Sequence, residues 1–343
     1  MPQITANRPG TRQSWWLGGL FLIALIVSLI LNACTSGQAS RLQPLKIGIT
    51  TWPGFDVVLY AKEAGLFQKN GLDVNLIRFE NQQDSARAVL RGTLDAAFAS
   101  LWDVMQVDPG NDKPVFFMVT NISHGADGIV ARSGIQTVKD LRGKRVAAKL
   151  GTVNHLILLE ALKLHNIKPS EVKIEDIPNE TAAEMIVAGK LDGAVLWEPL
   201  LSETAKKSKG KIVYTTKEVD SLVIDGVVSR SQVLQSKKAE VSKFISTWFE
   251  VMNAVDTKPK EVFQQVGKVL NQNGESFASD YSGLKKGDIA MQKQMFQTEG
   301  RLQAATKQLI HLLEEDPRHG HIARKDVEID PEPVTAAIKE WKA

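Results

Sequence analysis

The chain of 343 residues predicts an α/β architecture with two lobes. Each lobe is a mostly parallel sheet flanked by helices, with a ligand cleft between them. Three observations lead there. Strand–helix–strand–helix–strand spacing occurs twice. The two runs end in near copies, GTLDAAFASLWD at Gly92 to Asp103 and GKLDGAVLWEP at Gly189 to Pro199, each with a Trp and an acid just past an apolar strand. Finally, GADGIVAR (Gly125 to Arg132) and VIDGVVSR (Val223 to Arg230) bracket the second run, as crossovers between lobes would. Ordinary causes also exist for both echoes: short helix-to-strand corners converge on Gly and Asp, and Asp-Gly makes plain turns before strands.

The elements follow in order. LKIGIT, residues 45–50, alternates and reads as a strand, and 56–68 carries apolar residues at helical spacing. GLDVNLIRF (71–79) is a second strand, 84–91 a helix, and LDAAFAS (94–100) a short buried strand. The second run repeats this with strands at 144–150, 172–178 and 191–197 and helices at 154–166 and 181–189. Beyond Arg230 the chain turns mostly helical: 239–255, 260–270, 299–315 and a short closing helix, all expected to pack back on the first lobe. The expected boundaries are 45–125 with 226–343 for lobe 1, and 126–225 for lobe 2.

The N-terminus has a different character. Residues 1–14 hold Arg8 and Arg12 and no acid; Trp15 to Leu31 is uncharged and mostly apolar; small residues then lead to Cys34, the one cysteine of the chain. That order reads as a secretory signal peptide over 1–33. The apolar run, about 17 residues, is at the short limit for a spanning helix, so an uncleaved anchor helix is the alternative. Leu31-Asn32-Ala33-Cys34 resembles the bacterial lipoprotein signal. The resemblance implies cleavage before Cys34 and lipidation of its thiol, which would tether the exported protein to the cell membrane. Residues 34–44 are small and polar, ending in Pro44, and read as a flexible tether.

The formal charge is +3, and removal of the two leader arginines leaves little net charge, so nucleic-acid binding is not indicated. Apart from the leader, no apolar run approaches a transmembrane length. The remaining roughly 300 residues suffice for two domains of ordinary size. A monomer is the default expectation.

Several stretches together resemble the periplasmic substrate-binding proteins of ABC importers, in the branch that includes nitrate, bicarbonate, sulfonate, taurine and thiamine-pyrimidine binders. They are KIGITTWPGF (46–55), YAKEAGLFQKNGLDVNL (60–76), LRGTLDAAFAS (90–100), VKDLRGKRVAAKLGTVNH (138–155) and GKLDGAVLWEP. The likeness covers residues 45–230 well and the C-terminal helices loosely. It implies a type II periplasmic-binding-protein fold, hinge closure on a small solute, and delivery to an ABC permease and its ATPase, with no cofactor. A tethered solute sensor is the alternative that the sequence leaves open.

Ligands of open α/β sheets sit beyond the carboxyl ends of the strands. That rule points to Trp52, Phe55 and Asp56 after the first strand, with Asp56 alternatively a helix N-cap. It points to Ser100, Trp102 and Asp103 after the third strand, and to Trp197 and Glu198 after the last strand of the second lobe. Gly151-Thr152, opening a helix with His155 in its first turn, offers backbone N–H groups to an anionic or polar group; the resemblance also places this turn at the ligand. Asp127 and Asp225 belong to the crossovers, or else form turns with Gly128 and Gly226. These loops carry tryptophans and acids but no Lys or Arg, which suits an amine, a quaternary ammonium, a nitrogen heterocycle or an aminosulfonate better than a bare anion such as nitrate or bicarbonate.

An enzyme is not expected. A thiamine-pyrimidine synthase shares the fold, but it carries a cysteine-rich metal motif, and the single cysteine here falls at the anchor. The histidines, among them His124, His155, His165, His319 and His321, are scattered, and no metal site is expected.

Overall fold

The computed structural model describes residues 44–108, 112–219, 221–296, 300–315 and 324–342. The expected signal peptide, Cys34, nearly all of the tether, and His319 and His321 lie outside the described residues. Pro44–Ala343 forms one compact unit.

Among the described residues, twelve strands build two sheets: β1 (Leu45–Ile49), β2 (Val74–Arg78), β3 (Ala96–Ser100), β4 (Pro114–Ser123), β5 (Asp127–Ala131), β6 (Arg145–Ala147), β7 (Lys173–Glu175), β8 (Gly193–Trp197), β9 (Lys211–Thr215), β10 (Ile224–Arg230), β11 (Leu284–Lys286) and β12 (Glu328–Ile329). The larger sheet runs β11-β4-β10-β3-β1-β2, with β12 on β4; the smaller runs β7-β6-β8-β5-β9. The α/β two-sheet architecture predicted from the sequence is therefore present, but the sheets are mixed rather than mostly parallel: three of the six strand pairings in the larger sheet and two of the four in the smaller are antiparallel.

The two sheets share a plan. In each, three parallel strands (β2-β1-β3 and β7-β6-β8) meet an antiparallel fourth, β10 in one and β5 in the other. Each antiparallel strand begins beside the point where the third parallel strand ends: Asp225 of β10 pairs with Ser100 of β3, and Asp127 of β5 pairs with Trp197 of β8. The Asp-Gly pairs are thus strand residues, not turns. Gly226 answers a packing need, since a Cβ there would lie 2.2 Å from the Met118 carbonyl oxygen and from the Phe116 ring.

Several local expectations change. The helix over 56–68 is three short helices, Pro53–Asp56, Leu59–Glu63 and Leu66–Lys69. Gly65, at φ +68°, breaks the run with a left-handed residue. The long C-terminal helix Lys238–Thr257 packs on the larger sheet: Phe244 and Trp248 sit at 6.2 and 6.0 Å from the Phe98 ring. Helix Arg301–Glu315 instead places Leu302, Leu309 and Leu312 in a core with Trp102, Val153 and Leu156, which also draws on the smaller sheet.

Candidate functional site

The shared plan aims two kinds of strand end at one place. Parallel strands arrive there by their carboxyl ends, and β5 and β10 depart from it. The result is a cleft of about 730 Å³. Its walls come from the β1 exit (Thr50, Thr51, Trp52), the β2 exit (Arg78 to Gln82), Asp103 after β3, Thr152 and Val153 after β6, Glu180 after β7, Trp197, Pro199 and Leu200 after β8, and the strand-start acids Asp127 and Asp225.

Three carboxyl groups dominate its electrostatics. Asp103, Asp127 and Asp225 are all buried. Burial pushes the Asp127 carboxyl up to about 7; the neighbouring Glu198 and Asp103 charges push the same way, and a hydrogen bond from Ser123 offsets part of the rise. Burial and the charges of Asp127 and Asp103 hold Asp225 well above the ordinary carboxylate range, against contacts from Trp52 and Asn121. Asp103 rises to about 6, again chiefly by burial, although the Ser100 hydroxyl, the Gln83 amide and the Val153 backbone N–H all donate to it. Three polar oxygens on the cleft wall are buried without a hydrogen-bond partner among the described residues: Thr50 Oγ1, Asp127 Oδ2 and Asp225 Oδ2. Such atoms are uncommon and costly unless something pairs with them.

The cleft brings together Trp52, Asp103, Asp127, Thr152, Trp197 and Asp225 from the candidates of the sequence. Trp52 is nonetheless buried rather than exposed, and its indole N–H donates to Asn121 Oδ1 at 3.2 Å. The other candidates stand behind the wall. Phe55 is core, 5.4 Å from the Phe98 ring. Trp102 is buried in the core beside Met105 and Val153. Ser100 caps the helix Leu101–Met105, accepting from Asp103 N–H and donating to Asp103 Oδ2. Asp56 is not an N-cap, because it ends its helix; its carboxyl accepts from the Trp52 backbone N–H at 3.0 Å and Arg78 Nη2 at 2.9 Å, fixing the turn that carries Trp52. Burial outweighs Arg78 and raises Asp56 to about 6.

The Gly151-Thr152 turn is built as expected but its donors are engaged internally. Thr152 is the N-cap of helix Val153–Leu164, its hydroxyl donates to the Lys149 carbonyl, and the Gly151 N–H reaches His155 Nδ1 at 3.4 Å. His155 itself is fully buried. The Gly151 carbonyl accepts from Gln83 at 2.6 Å, so this turn is stitched to the element after β2. Glu198 is half-buried; it accepts from the Ser202 backbone and hydroxyl at the start of helix Leu200–Ser208, and burial raises its pKa.

The sequence reading passed over the β2 exit, Arg78-Phe79-Glu80-Asn81-Gln82. The strand-end rule already applied to GLDVNLIRF, and it marks these residues as readily as Trp52. The loops are therefore not free of cations, but Arg78 is committed to Asp56 and to Thr51 Oγ1. Among the described residues, no group of three or more His, Cys, Asp or Glu could hold a metal ion.

Known proteins share this fold and part of this sequence. The chain is similar to the taurine-binding periplasmic protein of Escherichia coli, 23% identical over 235 residues, 66% of this chain and 72% of the relative. It is similar at 23% over 285 residues, 74% of this chain and 80% of the relative, to a Brachyspira hyodysenteriae chain that bears the name "Putative ABC transporter periplasmic binding protein". Its fold matches the periplasmic aliphatic sulphonate binding protein SsuA of Escherichia coli with a TM-score of 0.68 at 15% identity, over 83% of this chain and 97% of that one. The desulfurization enzyme DSZB shares the fold too, at a TM-score of 0.62 and 14% identity, over 86% and 99%. The family model described as NMT1/THI5 like matches residues 52–261, most of both sheets and all of the cleft wall except Thr50 and Thr51, and the chain belongs to that family.

Proposed function

We propose that the chain is the extracytoplasmic solute-binding component of an ABC importer, tethered to the membrane through Cys34. The observation that carries this is the cleft: it is walled by both sheets and lined by buried polar atoms that lack partners. Such a site binds by enclosing a small molecule. The chain crosses between the sheets twice near the cleft, from β4 to β5 and from β9 to β10, which suits hinge closure around a solute. The names of the relatives agree with capture and delivery to a permease. DSZB raises an enzymatic reading, but the residues lining this cleft include no Cys, His or Lys to serve as nucleophile or base partner.

A thermal-shift screen against a few hundred metabolites tests binding. A solute that binds only the folded state adds about 2.7 kcal/mol of stability at a hundredfold excess over Kd. A saturable shift with no change in the solute supports the reading; turnover of the solute overturns it. The anchor is tested separately. Replacing the lone thiol, Cys34→Ser, is expected to move the protein from the detergent phase to the aqueous phase on Triton X-114 partition.

A further inference from the structure

We infer that the cargo of the cleft is an organic cation bearing N–H donors on a flat body, with its donors seated on Asp127 Oδ2 and Asp225 Oδ2. This rests on the solute-binding reading and names the class of solute.

The unpartnered atoms come first. Among the described residues, one oxygen of each acid, Asp127 Oδ2 and Asp225 Oδ2, is buried on the cleft wall without a hydrogen-bond partner, and so is Thr50 Oγ1. Their positions are fixed by the fold, because each acid starts an antiparallel strand beside a strand that ends at the cleft. A ligand that fills such a site supplies donors. A quaternary ammonium has none, so a primary ammonium, an amidinium or a protonated heterocycle fits better.

Charge gives the second argument. Six carboxyl side chains line the cleft (Glu80, Asp84, Asp103, Asp127, Glu180, Asp225) against one guanidinium, Arg78. Arg78 is already paired with Asp56 at 2.9 Å. The natural anion site, the N-terminus of helix Val153–Leu164, has Asp103 on its first N–H group. A sulfonate placed there would meet a carboxylate where it needs a donor. Trp52, Trp197 and Phe79 add aromatic surface to the same wall, which suits a flat cation through stacking and cation–π attraction.

Proton linkage follows. The charged groups facing Asp127 and Asp225 are Asp103 after β3, Glu198 after β8, Glu180 after β7, and Glu80, Asp84 and Arg78 on the β2 side. Carboxyls far outnumber cations, so without a ligand the acid pair holds a proton near neutral pH. A bound cation displaces it. With Asp127 titrating at about 7, affinity should rise about tenfold from pH 6 to pH 8.

The test is isothermal titration of the purified chain with four probes: benzamidine, trimethylphenylammonium, ethanesulfonate and taurine. Benzamidine is expected to bind one per chain, about tenfold tighter at pH 8 than at pH 6 and about tenfold tighter than trimethylphenylammonium. Asp127→Asn and Asp225→Asn should each weaken it at pH 8 by about 30-fold or more, with circular dichroism showing that both variants are folded. Tighter binding of ethanesulfonate or taurine than of benzamidine overturns the inference and leaves the solute-binding reading intact. Benzamidine binding that neither substitution weakens overturns it as well, as does failure of benzamidine to bind; the metabolite screen then decides the parent reading alone.

Discussion

Substitution of Asp127 by Asn should make the ligand-free protein more stable and weaken its ligand binding. Asp127 is buried, and its pKa rises from an ordinary 3.8 to about 7. The sign follows from linkage. Between those two values the folded chain holds a proton that the unfolded chain has released, so folding stability falls as pH rises through that window. A rise of that size corresponds to about 4 kcal/mol, fully expressed by pH 7 and nearly absent at pH 3.5. Asn has the shape of the protonated acid and carries no charge at any pH. Asp127→Asn should therefore nearly match the parent at pH 3.5, gain stability progressively as pH rises, and gain up to about 4 kcal/mol at pH 7 and above. For a unit of about 300 residues that is a melting temperature higher by about 8 °C at most. Urea or thermal unfolding of both proteins across pH 4 to 8 measures it. A stability difference that does not vary with pH, or a variant less stable at pH 8, would refute the assignment of a strained acid to this position.

Other expectations concern the scaffold and the walls. Gly226→Ala sets a methyl against the Met118 carbonyl and the Phe116 ring, and should cost about 1–3 kcal/mol in chemical denaturation. Asn154→Ala removes the amide that donates to the Val195 carbonyl at 2.7 Å and to Asn179 at 3.2 Å; it should cost about 1–3 kcal/mol and leave the benzamidine stoichiometry unchanged. Trp197→Ala, on a half-buried wall residue, should weaken ligand binding about tenfold while moving the melting temperature little.

Much of this fold was legible because its parallel strands are short apolar runs alternating with helices; β1, β2, β3, β6, β7 and β8 all fall inside the stretches read as strands. The strand β4 was not read. All ten residues of PVFFMVTNIS are buried, so the segment lacks the alternation that marks a half-exposed strand. The Asp-Gly echoes were noticed, yet Asp-Gly is also turn chemistry. Only the pairing of β10 with β3 and of β5 with β8 shows both acids at the cleft. Trp102 and Trp197 illustrate the limit of a sequence echo. Both follow an apolar strand, but Ser100 starts a helix that turns Trp102 into the core, while Trp197 is still the last residue of its strand and stays on the wall. Arg78 is legible too, since it closes the strand-like run GLDVNLIRF and the strand-end rule marks that exit as it marks the others.

Native mass spectrometry of the chain after incubation with a total small-metabolite extract addresses capture of a solute in the cleft most directly, run beside Trp197→Ala and Asp127→Asn. The expected spectrum shows one added small mass per chain in the parent protein and a marked reduction of it in both variants. A parent spectrum with no added mass, or an added mass that persists unchanged in both variants, would contradict a solute site between the two sheets.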